Sequence, residues 1–113
     1  MKRLFLAIAL VACTATAHAE FVSSPTLAGW LDSAASTTGS FKDTTIVTGY
    51  VAAISDVLAG TEVCAPANLR QRRMLMAVRG WMRRHSGTWD DNAALTVRRA
   101  LIELYPCPPN PDR

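Results

Sequence analysis

Histidine, lysine and the glycine patterns of catalytic loops are scarce in this 113-residue chain, and each scarcity removes a class of function. Beyond residue 19 a single histidine, His85, is left. No serine sits in a Gly-x-Ser-x-Gly elbow, and no glycine-rich loop follows a strand to cradle a phosphate. The three cysteines form no Cys-x-x-Cys and have no second Cys or His at ligand spacing, so no metal and no cofactor is expected. Asp90-Asp91 is a carboxylate pair, but adjacent side chains point in different directions and helix capping accounts for them better than acid–base work. His85, near the end of a helical pattern, reads as a residue satisfying the helix dipole. The expectation is a protein that is not an enzyme.

The first nineteen residues carry an export signal. Lys2 and Arg3 form a positive start, Leu4 to Ala12 is an apolar run too short for a stable membrane span, and Ala17-His18-Ala19 before Glu20 has the small-x-small form of a cleavage site. Leu10-Val11-Ala12-Cys13 competes as a lipobox, in which Cys13 becomes a lipidated first residue and holds the protein to a membrane. Either route removes Cys13 and leaves Cys64 and Cys107. In an oxidising periplasm these pair with each other, the alternative being two free buried thiols. Closing a loop of that length is worth about 4 kcal/mol by restriction of the unfolded chain.

Residues 20–107 make one small domain, followed by an extended proline-rich tail at 108–113. Without the leader, ten basic residues oppose nine acidic ones, and their distribution is uneven. Between Glu20 and Cys64 only Lys42 faces Glu20, Asp32, Asp43, Asp56 and Glu62, whereas nine arginines follow Cys64. Nucleic acid is not the expected partner of an exported chain. Solvated helix faces with internal pairing, or a docking surface for an acidic protein, fit the arginines better.

Helical periodicity runs through the domain. Ser24, as N-cap, and Pro25 in the first turn open a first helix carrying Leu27, Trp30, Leu31 and Ala34, which Gly39 ends. A second runs from about Asp43 to Leu58, with Ile46, Tyr50, Ala53, Ile54, Val57 and Leu58 as its expected core stripe and Gly60 as its stop. Asn68 is the expected cap of a third, reaching Arg84, with Leu75, Val78 and Met82 inward and Met74 and Trp81 beside them. Asp90 or Asp91 is expected to cap a fourth, with Ala94, Val97, Leu101, Leu104 and Tyr105 inward, up to Pro106. The fold class is therefore all-α, a small four-helix bundle stabilised by one disulfide. The bridge is expected to join the start of the third helix to the end of the fourth.

Gly49-Tyr50-Val51 with Ala53 and Asp56, then Cys64-Ala65-Pro66, a helix ending near His85, Ala94, Val97, Ala100-Leu101 and the closing Tyr105-Pro106-Cys107 resemble the Rap/Tai family of periplasmic immunity proteins. The resemblance covers roughly residues 45–107, and its specificity lies in the order and spacing of short pieces. Ser86 stands after His85 where the family often has proline, Ala53 where glycine is frequent, and Trp81 where tyrosine is commoner. The resemblance implies a small helical inhibitor, often a homodimer, that plugs the cleft of a type VI secreted peptidoglycan amidase effector with a cysteine nucleophile.

Such an inhibitor needs a rigid protrusion and a charged rim. The expected protrusion is the connection from Ser86 to Asp90, with Trp89 as its anchor, unless Trp89 folds back as a staple residue before the fourth helix. Arg83 and Arg84 are the expected rim, and Tyr50, beside a Gly49/Ala53 notch, is a further candidate contact. Asp56 is expected to pair with an arginine of the third helix. A different class of function, a small periplasmic stress chaperone that opens in acid and binds unfolded clients, is the alternative.

Overall fold

The computed structural model describes residues 20–109, so the leader, Cys13 and residues 110–113 lie outside the described residues. Within that span four helices form and no strand does: α1 Ser24–Ala35, α2 Phe41–Leu58, α3 Gln71–Arg84 and α4 Ala93–Leu104. Every pair of helices is in contact, which gives the expected bundle.

Local chemistry sets each boundary. Ser23 caps α1 by accepting from the Thr26 N–H at 3.3 Å, with Pro25 in the first turn. Beyond α1 the chain passes so close to its own last turn that a Cβ on Gly39 would stand 1.8 Å from the Ser33 carbonyl oxygen. Only glycine fits there. Helix α2 begins at Phe41, capped by Ser40, two residues before the expected Asp43. The threonines that weaken this start by propensity are accommodated by back-bonding, as Thr44 donates to the Ser40 carbonyl at 3.0 Å and Thr45 to that of Phe41 at 2.9 Å. Gly60, at φ +80°, follows its end.

The α2 core stripe is a correction. Val47 and Val51 are its buried residues, whereas Ile46, Ala53 and Val57 are exposed and Tyr50, Ile54 and Leu58 are half-buried. The helix is apolar on two sides, so periodicity alone could not choose between them. Three caps differ as well, the first being Ser23, which caps α1 in place of the expected Ser24. Asn68 does not cap α3, which starts after Arg70 with no side-chain cap. Asn92, accepting from the Ala94 N–H at 2.9 Å, caps α4 in place of Asp90 or Asp91. At α4 the core face is Ala93, Thr96, Val97, Ala100 and Leu101, with Ala94, Leu104 and Tyr105 only half-buried.

The core joins Leu27, Leu31 and Ala34 of α1 to Met74, Leu75, Val78, Trp81 and Met82 of α3 and the α4 face. Two buried hydroxyls, Ser24 and Thr96, satisfy each other at 2.8 Å. At the far end Cys64 and Cys107 are disulfide-bonded, with Cα atoms 4.7 Å apart. Cys64 lies in the α2–α3 connection rather than at the start of α3, so the bridge ties that connection to the segment after α4. The Cys64 N–H donates to the Tyr105 carbonyl at 2.9 Å, and Val63 bridges Pro106 beside it.

Candidate partner-binding surface

The connection between α3 and α4 is held from every side. Thr88 N–H donates to the His85 carbonyl at 3.0 Å, and Arg99 Nη1 donates to the Thr88 carbonyl at 2.9 Å and to Asp90 Oδ2 at 2.8 Å. The Asp90 N–H donates to Thr96 Oγ1 at 3.0 Å, Ser24 Oγ donates to the Asp90 carbonyl, and the Ser24 N–H donates to the Asp91 carbonyl at 3.2 Å. A loop with this many backbone anchors is a rigid feature.

Beneath it lies a stack of aromatic and cationic groups. The rings of Trp81 and His85 are stacked with centroids 4.1 Å apart, and the Arg99 guanidinium carbon stands 5.5 Å from the Trp81 ring centroid. The Trp81 indole N–H donates to Glu103 Oε2. His85 Nδ1 lies 2.8 Å from the Trp81 carbonyl, which can only accept, so the proton sits on Nδ1. His85 follows the last residue of α3 and its backbone N–H closes the helix on Trp81 and Met82, in keeping with an end residue.

Trp89 does not project. It is half-buried, its indole N–H donates to the Met82 carbonyl at 2.9 Å, and its ring packs against the core near Ala28, Leu31 and Arg83. A backbone carbonyl at the C-terminal end of α3 is a strong acceptor, and burying the indole around that bond outweighs leaving it in solvent. Trp89 is therefore a staple of the connection, not a free anchor. What it offers outward is an edge of a groove of ≈ 400 Å³, shared with Phe21, Pro25, Ser86, Gly87 and Asp91.

The other expected residues separate. Arg83 and Arg84 are exposed at the C-terminal end of α3, where the helix dipole favours them, and no acid among the described residues is within ion-pair distance. Asp90 is taken up by Arg99. Tyr50 sits on α2 with no hydrogen bond to these residues, and burial raises its phenol above the usual value. Asp56 is exposed and pairs with no arginine among the described residues. The internal pairs are instead Asp32 with Arg79 at 2.8 Å and Glu62 with Arg98. Arg98 holds the Glu62 carboxyl below its usual value, and Glu62 raises Arg98 in return.

Sequence reasoning gave Ser24 only a helix-start role and singled out neither Arg99 nor Thr96. Arg99 reaches back nine residues to Asp90, and Ser24 meets Thr96 across 72, so no local spacing could signal either contact.

Residues 10–107, nearly the whole chain, match the family described as Rap1a immunity proteins. The chain belongs to the Rap1a immunity protein family. No curated protein and no solved structure matches it. Rap1a membership makes it an immunity protein, whose partner is a cognate effector protein and whose task is inhibition. No helix among the described residues is long and apolar enough to cross a membrane, and no His, Cys, Asp and Glu cluster there has the makings of a metal site.

Proposed function

We propose that the protein acts in the periplasm, where it binds a peptidoglycan amidase delivered by type VI secretion and occludes its active-site cleft. The observation that carries this reading is the family match, which spans the whole disulfide-bonded bundle. The export signal and the disulfide support the compartment. The α3–α4 end supports the mode of action, since a rigid connection with an apolar groove edge sits beside Arg83 and Arg84, which pair with no acid among the described residues. Such an end can fill a cleft while its cations meet an acidic rim.

The test is a periplasmic co-expression. An amidase encoded beside this protein is directed to the periplasm with and without it, while lysis and cleavage of peptidoglycan cross-link peptides are followed. Protection together with a purified complex of the two proteins is the expected outcome. Binding to an effector of another chemistry keeps the immunity assignment and removes the amidase. Client binding that appears only in acid, with no effector bound, favours the chaperone alternative.

A further inference from the structure

The α3–α4 connection and the chain entering α1 share a groove of ≈ 400 Å³, lined by Phe21, Pro25, Ser86, Gly87, Trp89 and Asp91. The entering chain is fixed there. The Ala93 N–H donates to the Val22 carbonyl at 2.8 Å, Ser23 bridges Asn92, and the Ser24 N–H donates to the Asp91 carbonyl at 3.2 Å. Both walls therefore stand in place before any partner arrives. Phe21, 58% exposed, comes from one wall and the outward edge of Trp89 from the other.

What the groove can hold follows from which of its polar groups are already engaged. Two helices begin beside it, yet neither offers an N–H to an anion. In α1 the Thr26 N–H goes to Ser23 Oγ and the Leu27 N–H to the Ser23 carbonyl, and in α4 the N–H groups of Ala94, Leu95 and Thr96 all go to Asn92. The hydroxyls of Ser23 and Ser24 are engaged with Thr26 and Thr96, Trp89 donates its indole N–H inward to the Met82 carbonyl, and Asp90 is paired with Arg99. A ligand therefore meets the carbon of Phe21, Pro25 and Trp89 together with the Asp91 carboxylate. Asp91 is exposed and pairs with no cation among the described residues. It stands just before the Asn92 cap of α4, where the positive end of the helix favours an anion without a counter-ion. An apolar floor with one anion at its rim repels a carboxylate. It fits a long side chain with an apolar stem and a cationic head.

We infer that this groove is the receptor for an arginine or lysine of the effector, whose stem lies between Phe21 and Trp89 and whose charge meets Asp91. It rests on the proposed function in taking the α3–α4 end as the binding end, and it adds insertion in the opposite direction, from the effector into the immunity protein. Trp89 borders both this groove, with Asp91, and a smaller pocket that includes Arg83. Charges of opposite sign thus flank one aromatic residue, and the end recognises an ordered pair of charges on its partner, not a single sign.

The experiment measures binding of the effector encoded beside this protein to the processed, disulfide-bonded immunity protein by surface plasmon resonance, with a circular dichroism melt of each variant alongside. Asp91→Asn and Phe21→Ser are each expected to raise the dissociation rate constant by about tenfold, and Asp91→Lys by about a hundredfold, with association little changed. The fold persists in all three, because both side chains stand outside the core. Replacing the effector's arginines and lysines by glutamate one at a time is then expected to reveal one position whose variant loses the parent and regains Asp91→Lys. Parent-like binding by Asp91→Lys and Phe21→Ser overturns the inference and leaves the proposed function standing. So does a loss that no exchange on the effector restores. The same charge exchange with an effector that is not an amidase keeps the inference and removes the amidase. A parent protein that binds no effector overturns both.

Discussion

Trp89 gathers three roles that a large side chain in a connection can take. Its ring covers the core between α1 and α3, its N–H satisfies the Met82 carbonyl, and its remaining edge faces the groove with Phe21. Its first two roles are structural, so Trp89→Ala is expected to lower the melting temperature, by about 2 kcal/mol or more in unfolding free energy. Trp89→Phe keeps most of the packing and loses the hydrogen bond, at a cost of about 1 kcal/mol. Chemical denaturation of both variants checks the order. A Trp89→Ala protein as stable as the parent would mean that the indole is idle in the fold. Arg99 works differently at the same end. It pairs with Asp90, caps the Thr88 carbonyl and lies over Trp81, so its charge organises the connection instead of facing outward.

At the scale of the elements, α3 was the most legible part of the chain. Its arginines and its apolar residues segregate cleanly, and Met74, Leu75, Val78, Trp81 and Met82 are all buried as their spacing requires. Helix α2 was legible as a helix but not in its orientation, because Ile46, Ala53 and Val57 match Val47 and Val51 in hydrophobicity. The side that goes inward is decided by the three other helices, and no local rule contains that choice. Helix starts were misread for a related reason. Asn68 and Asp91 have the right chemistry for caps, but the chain enters α3 and α4 at Arg70 and Asn92, where tertiary bonds from Arg72 to the Ala34 carbonyl and from Ala93 N–H to the Val22 carbonyl hold it.

The far end of the bundle joins the α2–α3 connection to the end of α4 by a covalent bond, a backbone pair and an ion pair. Cys64→Ser or Cys107→Ser is expected to cost about 2–5 kcal/mol in thermal or denaturant unfolding, well beyond any surface change. The Glu62–Arg98 pair adds a pH dependence of known sign. The folded carboxyl is held below its unfolded value by the Arg98 hydrogen bond. Its contribution is therefore fully present above the ordinary glutamate pKa of about 4.3 and is lost as pH falls through the depressed folded value. Glu62→Gln should lower stability at neutral pH by the small amount an exposed pair contributes and leave strong acid unchanged, where the carboxyl is already protonated, so that the acid limb flattens. A variant as stable as the parent at neutral pH, with the same acid limb, would show that the pair carries no stability.

Across the whole molecule the charges are divided by function. Asp32, Glu62 and Asp90 draw Arg79, Arg98 and Arg99 into the fold: the first pair links α1 to α3, and the other two tie the α2–α3 and α3–α4 connections to α4. Arg70, Arg73, Arg83 and Arg84 are left on the outside of α3 with no acid in reach among the described residues. Arg84 lies back along its own helix, close enough that a methyl on Gly80 would stand 3.2 Å from its Nη1. Exposed cations of this kind steer an encounter more than they hold a complex, because water and salt screen them once the partner is bound. Arg83→Glu with Arg84→Glu should therefore slow association with the effector by about tenfold at low ionic strength while dissociation changes little. The difference from the parent should shrink as salt is added. Surface plasmon resonance at two ionic strengths separates the two rate constants. An equal loss that appears wholly in dissociation and persists in high salt would place these arginines inside the buried contact rather than at its rim.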